Sequence, residues 1–223
     1  MTIEAARSEI NESRQASWLP SQTFLLDALE RFFMVGIFGI FAYVNTTAIL
    51  RGFDIRVVLQ VISESLPIIM IVFRSPSPTL SDRPADWAVG LFGSLFPFLV
   101  VMGPADHPLV PLQICLLLVI LGMFTQIAAK VVLGTSFGII AANRGVREVG
   151  PYRFVRHPMY AGYTLTHIGF FLASPSPLNG LFYVIAFCLQ IMRIRAEERV
   201  LRQDPVYRAF VARVPNMLLP GVY

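Results

Sequence analysis

The stretch LVPLQICLLLVILGMFTQIAAKVVL, residues 109–133, decides the fold. Its one charged side chain, Lys130, stands near the C-terminal end, and nothing before it would resist burial in hydrocarbon. A helix needs about 20 apolar residues to cross a hydrocarbon core of roughly 30 Å, so this run reads as a span. Three runs of the same kind precede it, at 31–50, 57–73 and 87–103. Two follow, at 159–173 and 178–194. The first of these is short and reaches only ~22 Å at 1.5 Å per residue. Ser174-Pro175-Ser176-Pro177 separates the pair, and proline cannot continue a helix, so the two form a tight helical hairpin. Ser75-Pro76-Ser77-Pro78 ends the second run in the same way.

The whole composition agrees with that reading. Of 223 residues, 55% are hydrophobic and 14% charged, with a mean hydropathy of +0.63, against roughly 25% charged in a soluble domain. The chain is therefore expected to be an all-α polytopic membrane protein of about six transmembrane helices, closing with a C-terminal helical hairpin. Its expected divisions are a polar cytoplasmic or interfacial segment at 1–30, a four-helix membrane region at 31–133, and a region at 134–223 holding a loop, the hairpin and a tail. No apolar run lies near the start, so no cleaved signal peptide is expected.

Charge fixes the expected orientation. With six spans both termini fall on one side, and all of the 18 basic residues except Arg51 and Arg56 fall there too. By the positive-inside rule that side is the cytoplasm. A net charge of +4 carried between apolar runs describes membrane topology rather than a nucleic-acid surface. Cys115 and Cys188 both sit inside apolar segments, which supports neither a disulfide framework nor a metal site.

Polar residues inside spans mark candidate sites. Glu64 would cost ~2.5–3.5 kcal/mol if ionised at mid-membrane, so it is protonated, paired or lining a cavity. Gly36 and Gly39 suggest close helix packing, and His107, next to Pro108, a polar turn. The C-terminal region is richer. From Gly150 the chain reads GPYRFVRHPMYAG, ending at Gly162. Pro151 and Pro158 stiffen a loop entering the membrane, and Arg153, Arg156 and His157 bring donors to it. Tyr160, Thr164 and His167 then share one helical face. Residues 193–201 read RIRAEERVL, with Arg193 and Glu197 four apart and Glu198 and Arg202 a similar pair. One hairpin joins the two charged clusters, so they can converge on a single pocket at the same membrane face.

GPYRFVRHPMYAG, followed by RxxxEExxL and the Tyr-bearing PVYRAFVARVP at 205–215, resembles the isoprenylcysteine carboxyl methyltransferase family and its phospholipid-methylating relatives. The likeness covers about 134–215. It implies S-adenosylmethionine as cofactor, in a pocket closed by the C-terminal tail, with a lipophilic acceptor entering from the bilayer and no metal. Carried over by motif, Tyr152, His157, Pro158, Met159, Tyr160 and Glu197 would contact the cofactor, and Arg193 would position the acceptor. Arg144, Val146 and Arg147 occupy the place of a further cofactor-contacting stretch. There the family has a His or Lys before Leu-Val-Thr, and this chain reads Arg-Gly-Val-Arg-Glu-Val. If the acceptor were an amine or thiol a base would help, and His167 or Glu198 could supply it. Membrane sterol and steroid reductases carry a similar RHPxYxG segment, so an NADPH-dependent reductase is the enzymatic alternative. A membrane scaffold whose arginines only set topology is the non-enzymatic one. The expected location is the inner membrane in a bacterium and the endoplasmic reticulum in a eukaryote.

Overall fold

A computed structural model of the protein describes residues 22–50, 55–74, 77, 79–96, 107–219 and 221. Among these the chain is helical, with no strand: α1 Gln22–Ile49, α2 Ile55–Val72, α3 Pro84–Leu95, α4 Leu112–Leu133, α5 Pro158–Ala173, α6 Pro177–Leu201 and α7 Pro205–Arg213. Two 3-10 turns, Gly134–Ser136 and Gly150–Arg153, flank the loop between α4 and α5. Two stretches, Leu112–Ser136 and Pro177–Leu201, are long and apolar enough to cross a membrane, and Val61–Val72 is a shorter apolar helix. Around them Phe32, Tyr43, Leu117, Phe124, Leu181 and Val184 stand exposed on outer faces. Water would not tolerate such a belt of large apolar side chains, and lipid would.

Several boundaries differ from the sequence expectation. α1 begins at Gln22, inside the stretch 1–30 expected to be a polar lead-in. Its early acidic residues point inward: Asp27 and Glu30 are buried, while Phe24, Leu25 and Leu29 are exposed. Of the expected span 87–103, α3 supplies the front part, started by Pro84 at its first position. Residues 97–106 lie outside the described residues, as do 1–21 with Arg7 and Arg14, and Arg51. The hairpin forms where expected, with Ser176 capping α6 by accepting the Asn179 N–H at 3.1 Å. α6 then runs on to Leu201, well beyond the apolar stretch.

α5 packs most extensively along α4, and the reason is glycine. A Cβ on Gly162 would stand 2.7 Å from both Gln126 N and Gly122 O, and one on Gly122 would meet the Thr166 hydroxyl at 2.4 Å. Only hydrogen fits at these crossings, so the two backbones touch. The glycines expected to do this on α1 do not: a Cβ on Gly36 or Gly39 would meet nothing within 4 Å. Among the described residues, those two meet no neighbouring helix.

Inside the bundle the charged groups are partnered. Lys130 Nζ donates to Ser63 O at 2.8 Å and Ser63 Oγ at 2.7 Å, and lies 4.0 Å from Glu64 Oε1. Glu64 is thus the paired carboxylate of the alternatives open to it. A denser network ties the polar end. Asp27 accepts from Arg31 and Arg74 at 2.6 and 2.7 Å, and Arg31 reaches on to the carbonyls of Ile71 and Arg74. Glu30, fully buried, accepts from Arg74 at 2.8 Å and Arg144 at 2.6 Å on one oxygen. Its other oxygen takes the backbone N–H groups of Ile139 and Ile140 at 2.8 and 3.0 Å. Arg199 clamps both oxygens of Asp86 at 2.6 Å. These contacts tie the starts of α1 and α3, the ends of α2 and α6, and the loop after α4.

Candidate active site

Pro158 opens α5, and the residue before it, His157, stands outside the helical region at φ −126°, ψ 58°. The backbone N–H groups of Arg156 and His157 donate to Asn216 O at 3.0 Å and Met217 O at 2.9 Å. The C-terminal tail therefore lies across the Arg-His-Pro loop, and Leu218 is buried in the same core as Tyr160. Under this strap the last turns of α6 present Arg193, Glu197 and Glu198.

Tyr160 donates its hydroxyl to Glu197 Oε1 in a short hydrogen bond. Arg193 stands on the same helical face, with Cζ 5.3 Å from the Tyr160 ring centroid. His157 bridges the two glutamates: Nδ1 is 3.7 Å from Glu197 Oε2, and Nε2 is 2.9 Å from Glu198 Oε1. Glu198 itself is a hub. It also accepts from the Tyr207 hydroxyl at 2.6 Å and from Arg202 Nε at 2.8 Å, with Arg156 Nε 3.4 Å away. Burial, and then the hydrogen bond to Glu198, raise the Tyr207 phenol far above its ordinary pKa, so it remains a donor. Glu198 is held on both oxygens, Oε1 by His157 and Tyr207 and Oε2 by Arg202, which suits a clamp. The pair Glu198–Arg202 is the one expected from spacing; Tyr207 was visible only as part of the Tyr-bearing tail.

Glu197 keeps more freedom. Its side chain is 21% exposed, and its carboxylate faces an aromatic wall. Tyr160 and Tyr163 meet edge to face at 6.2 Å. Tyr152, buried on the turn that positive-φ Gly150 allows, completes the wall. Burial pushes the Tyr152 phenol well above its usual pKa, and Glu197 and Tyr163 add to the rise. Arg193 is buried, and its guanidinium has distant partners only: Ser94 Oγ at 3.3 Å and Ile139 O at 3.5 Å. Its Nε is buried without a hydrogen-bond partner, and no carboxylate lies within ion-pair distance, among the described residues.

The remaining expected site residues divide. Pro158 and Met159 are buried beside Tyr160. Arg144 spends its guanidinium on Glu30 and on Ile140 O at 3.1 Å. Val146 packs against the core, and Arg147, exposed, donates to Ser136 Oγ at 3.3 Å. His167 stands two turns along α5 from Tyr160, ~10 Å at 1.5 Å per residue, with its ring 5.1 Å from that of Tyr183. Its ring packs there against Tyr183, away from the Glu197 carboxylate's partners. Gln190 ties Thr164 and the Tyr160 carbonyl to α6 at 2.8 and 3.1 Å. Sequence reading missed Glu30 and Ser94; the Asp27–Arg31 spacing of four was the one signal that α1 begins early with a structured polar turn.

The charged end of the bundle therefore brings together a partly exposed carboxylate, Glu197, a buried guanidinium, Arg193, and the edge-to-face pair Tyr160 and Tyr163. Residues 110–207 match the family model described as phospholipid methyltransferase. The matched part runs from α4 through the start of α7 and contains the Arg-His-Pro loop and the charged end of α6. No curated protein sequence matches the chain.

Proposed function

We propose that the protein is an integral membrane S-adenosylmethionine-dependent methyltransferase that acts on a lipophilic carboxylate, most like a prenylcysteine carboxyl O-methyltransferase. Six spans with both termini cytoplasmic is the topology that goes with it. The residues present fit the cofactor. Glu197 is a partly exposed carboxylate fixed by Tyr160 on one oxygen and directed toward His157 on the other, which suits an ammonium group. The Tyr152–Tyr160–Tyr163 wall suits a sulfonium or a purine face.

The observation that carries the acceptor class is Arg193. A buried guanidinium with an unpartnered Nε and no carboxylate beside it is costly, and a carboxylate ligand would relieve that cost by a forked pair of hydrogen bonds. When bound, S-adenosylmethionine supplies a methyl made electrophilic by its sulfonium, so an ionised carboxylate needs no base. Arg193 then orients the acceptor, stacked on Tyr160 so that it does not wander, and the tail over Arg156 and His157 keeps water out. The hub role of Glu198 and the distance of His167 agree with a reaction that needs no proton acceptor.

The test is transfer of labelled methyl from S-adenosylmethionine to a farnesylcysteine derivative and, separately, to phosphatidylethanolamine. Label that alkali releases as methanol marks an ester and supports the reading. Alkali-stable label on the phospholipid would move the acceptor to an amine. Oxidation of NADPH without methyl transfer would favour the reductase.

A further inference from the structure

Resting on that reading, we infer that Glu30, on α1 and outside the matched domain, is a positioning residue for Arg193. The geometry runs through one peptide group. Glu30 Oε1 takes the N–H of Ile140 at 3.0 Å, and the Ile139 N–H just before it at 2.8 Å. The Ile140 N–H and the Ile139 carbonyl belong to the same planar trans peptide, so they point in opposite directions. Fixing the N–H toward Glu30 therefore aims the carbonyl away from it, and that carbonyl accepts from Arg193 Nη2 at 3.5 Å. A carboxylate pulling on the N–H also makes the opposite oxygen a better acceptor.

α3 converges on the same carbonyl. A Cβ on Gly90 would stand 2.7 Å from Ile139 O, so glycine lets the helix press against it. One turn on, Ser94 receives Arg193 Nη1 at 3.3 Å and donates to Gly90 O at 2.8 Å. Glu30 is in turn held by Arg74 and Arg144, each buried or nearly so. The cofactor-side carboxylate, Glu197, has no part in this relay, so it separates acceptor placement from cofactor binding.

The experiment is a double-mutant cycle on the full chain in detergent, with Glu30→Gln, Arg193→Lys and both together. Three quantities are read: S-adenosylhomocysteine affinity, acceptor KM against kcat, and melting temperature. Glu30→Gln can still accept the two amides but loses its charge. It should leave S-adenosylhomocysteine affinity within about two-fold and raise acceptor KM about ten-fold, an effect that largely disappears when Arg193 is already Lys. If Glu30→Gln does not fold, Glu30→Asp carries the same cycle, because it keeps the charge and withdraws the carboxylate from the amides. Effects that add independently in both KM and melting temperature overturn the relay. A lowered melting temperature with unchanged acceptor KM makes Glu30 purely structural and overturns it as well. Wild type that binds no S-adenosylhomocysteine strikes the proposed function instead, and the melting-temperature cycle still reads whether Glu30 and Arg193 are coupled.

Discussion

Replacing Glu198 by alanine removes the acceptor on which four side chains converge. His157 at 2.9 Å, Tyr207 at 2.6 Å and Arg202 at 2.8 Å each lose a charge-assisted hydrogen bond, and Arg156 loses the carboxylate 3.4 Å away. Arg202 is half exposed and recovers water. Arg156 cannot: it is buried, and its Nε and Nη1 already lack hydrogen-bond partners among the described residues. The dominant effect is therefore an uncompensated buried cation, for which breaking a pair costs about 3–5 kcal/mol. For a chain of 150–250 residues each kcal/mol moves Tm by roughly 2–4 °C, so the expected loss is about 6–20 °C. Trp87 fluorescence during a thermal ramp in detergent reads it, with Tyr207→Phe as the milder comparison because it deletes one of the four contacts. Glu198→Ala that folds and melts within about 2 °C of wild type would refute the clamp and return Glu198 to the list of possible bases.

Three further outcomes follow from the geometry. Gly162→Ala should destabilise by about 1–3 kcal/mol through overpacking against the α4 backbone, whereas Gly36→Ala should be neutral, and comparison of their Tm values checks both. Burial alone would raise the Asp86 carboxyl, but the hydrogen bonds from Arg199 and Ser81 outweigh it and hold its pKa below the ordinary value. Its stabilisation is then complete above the unfolded value near ~3.9 and is lost as pH falls through the depressed folded one. The Tm gap between wild type and Asp86→Asn should accordingly stay constant from pH 8 to about pH 5 and close only below about pH 4. Arg193→Ala should leave S-adenosylhomocysteine binding within about two-fold while lowering methyl transfer by about 10²-fold or more, and intact transfer would remove the acceptor assignment.

The helical class was legible because hydrophobic runs and Ser-Pro punctuation are local signals, whereas the expected six spans compare with two helices long and apolar enough to cross a membrane among the described residues. The hairpin at 174–177 and the start of α5 at Pro158 come from proline alone, and the pairing of Glu198 with Arg202 from helical spacing. What spacing does not carry is which distant partner satisfies a buried charge. Arg144 falls in a motif position, yet its guanidinium goes to Glu30, more than a hundred residues away. Gly36 and Gly39 sit three apart on an apolar helix just as packing glycines do, but a Cβ there would meet nothing among the described residues, while the working set, Gly122, Gly162 and Gly169, is split between two helices. Tyr207 reads as one tyrosine among several until the tail folds it under Glu198.

In the proposed function Glu197, at the charged end of the bundle, anchors S-adenosylmethionine. Calorimetric binding of S-adenosylhomocysteine to the detergent-solubilised full chain tests it most directly, with NADPH as the comparison and Glu197→Ala as the control. Micromolar binding by wild type, lost in Glu197→Ala and absent for NADPH, is the result this account predicts. A folded wild-type sample that ignores S-adenosylhomocysteine, or a Glu197→Ala protein that binds it as tightly as wild type, would contradict it.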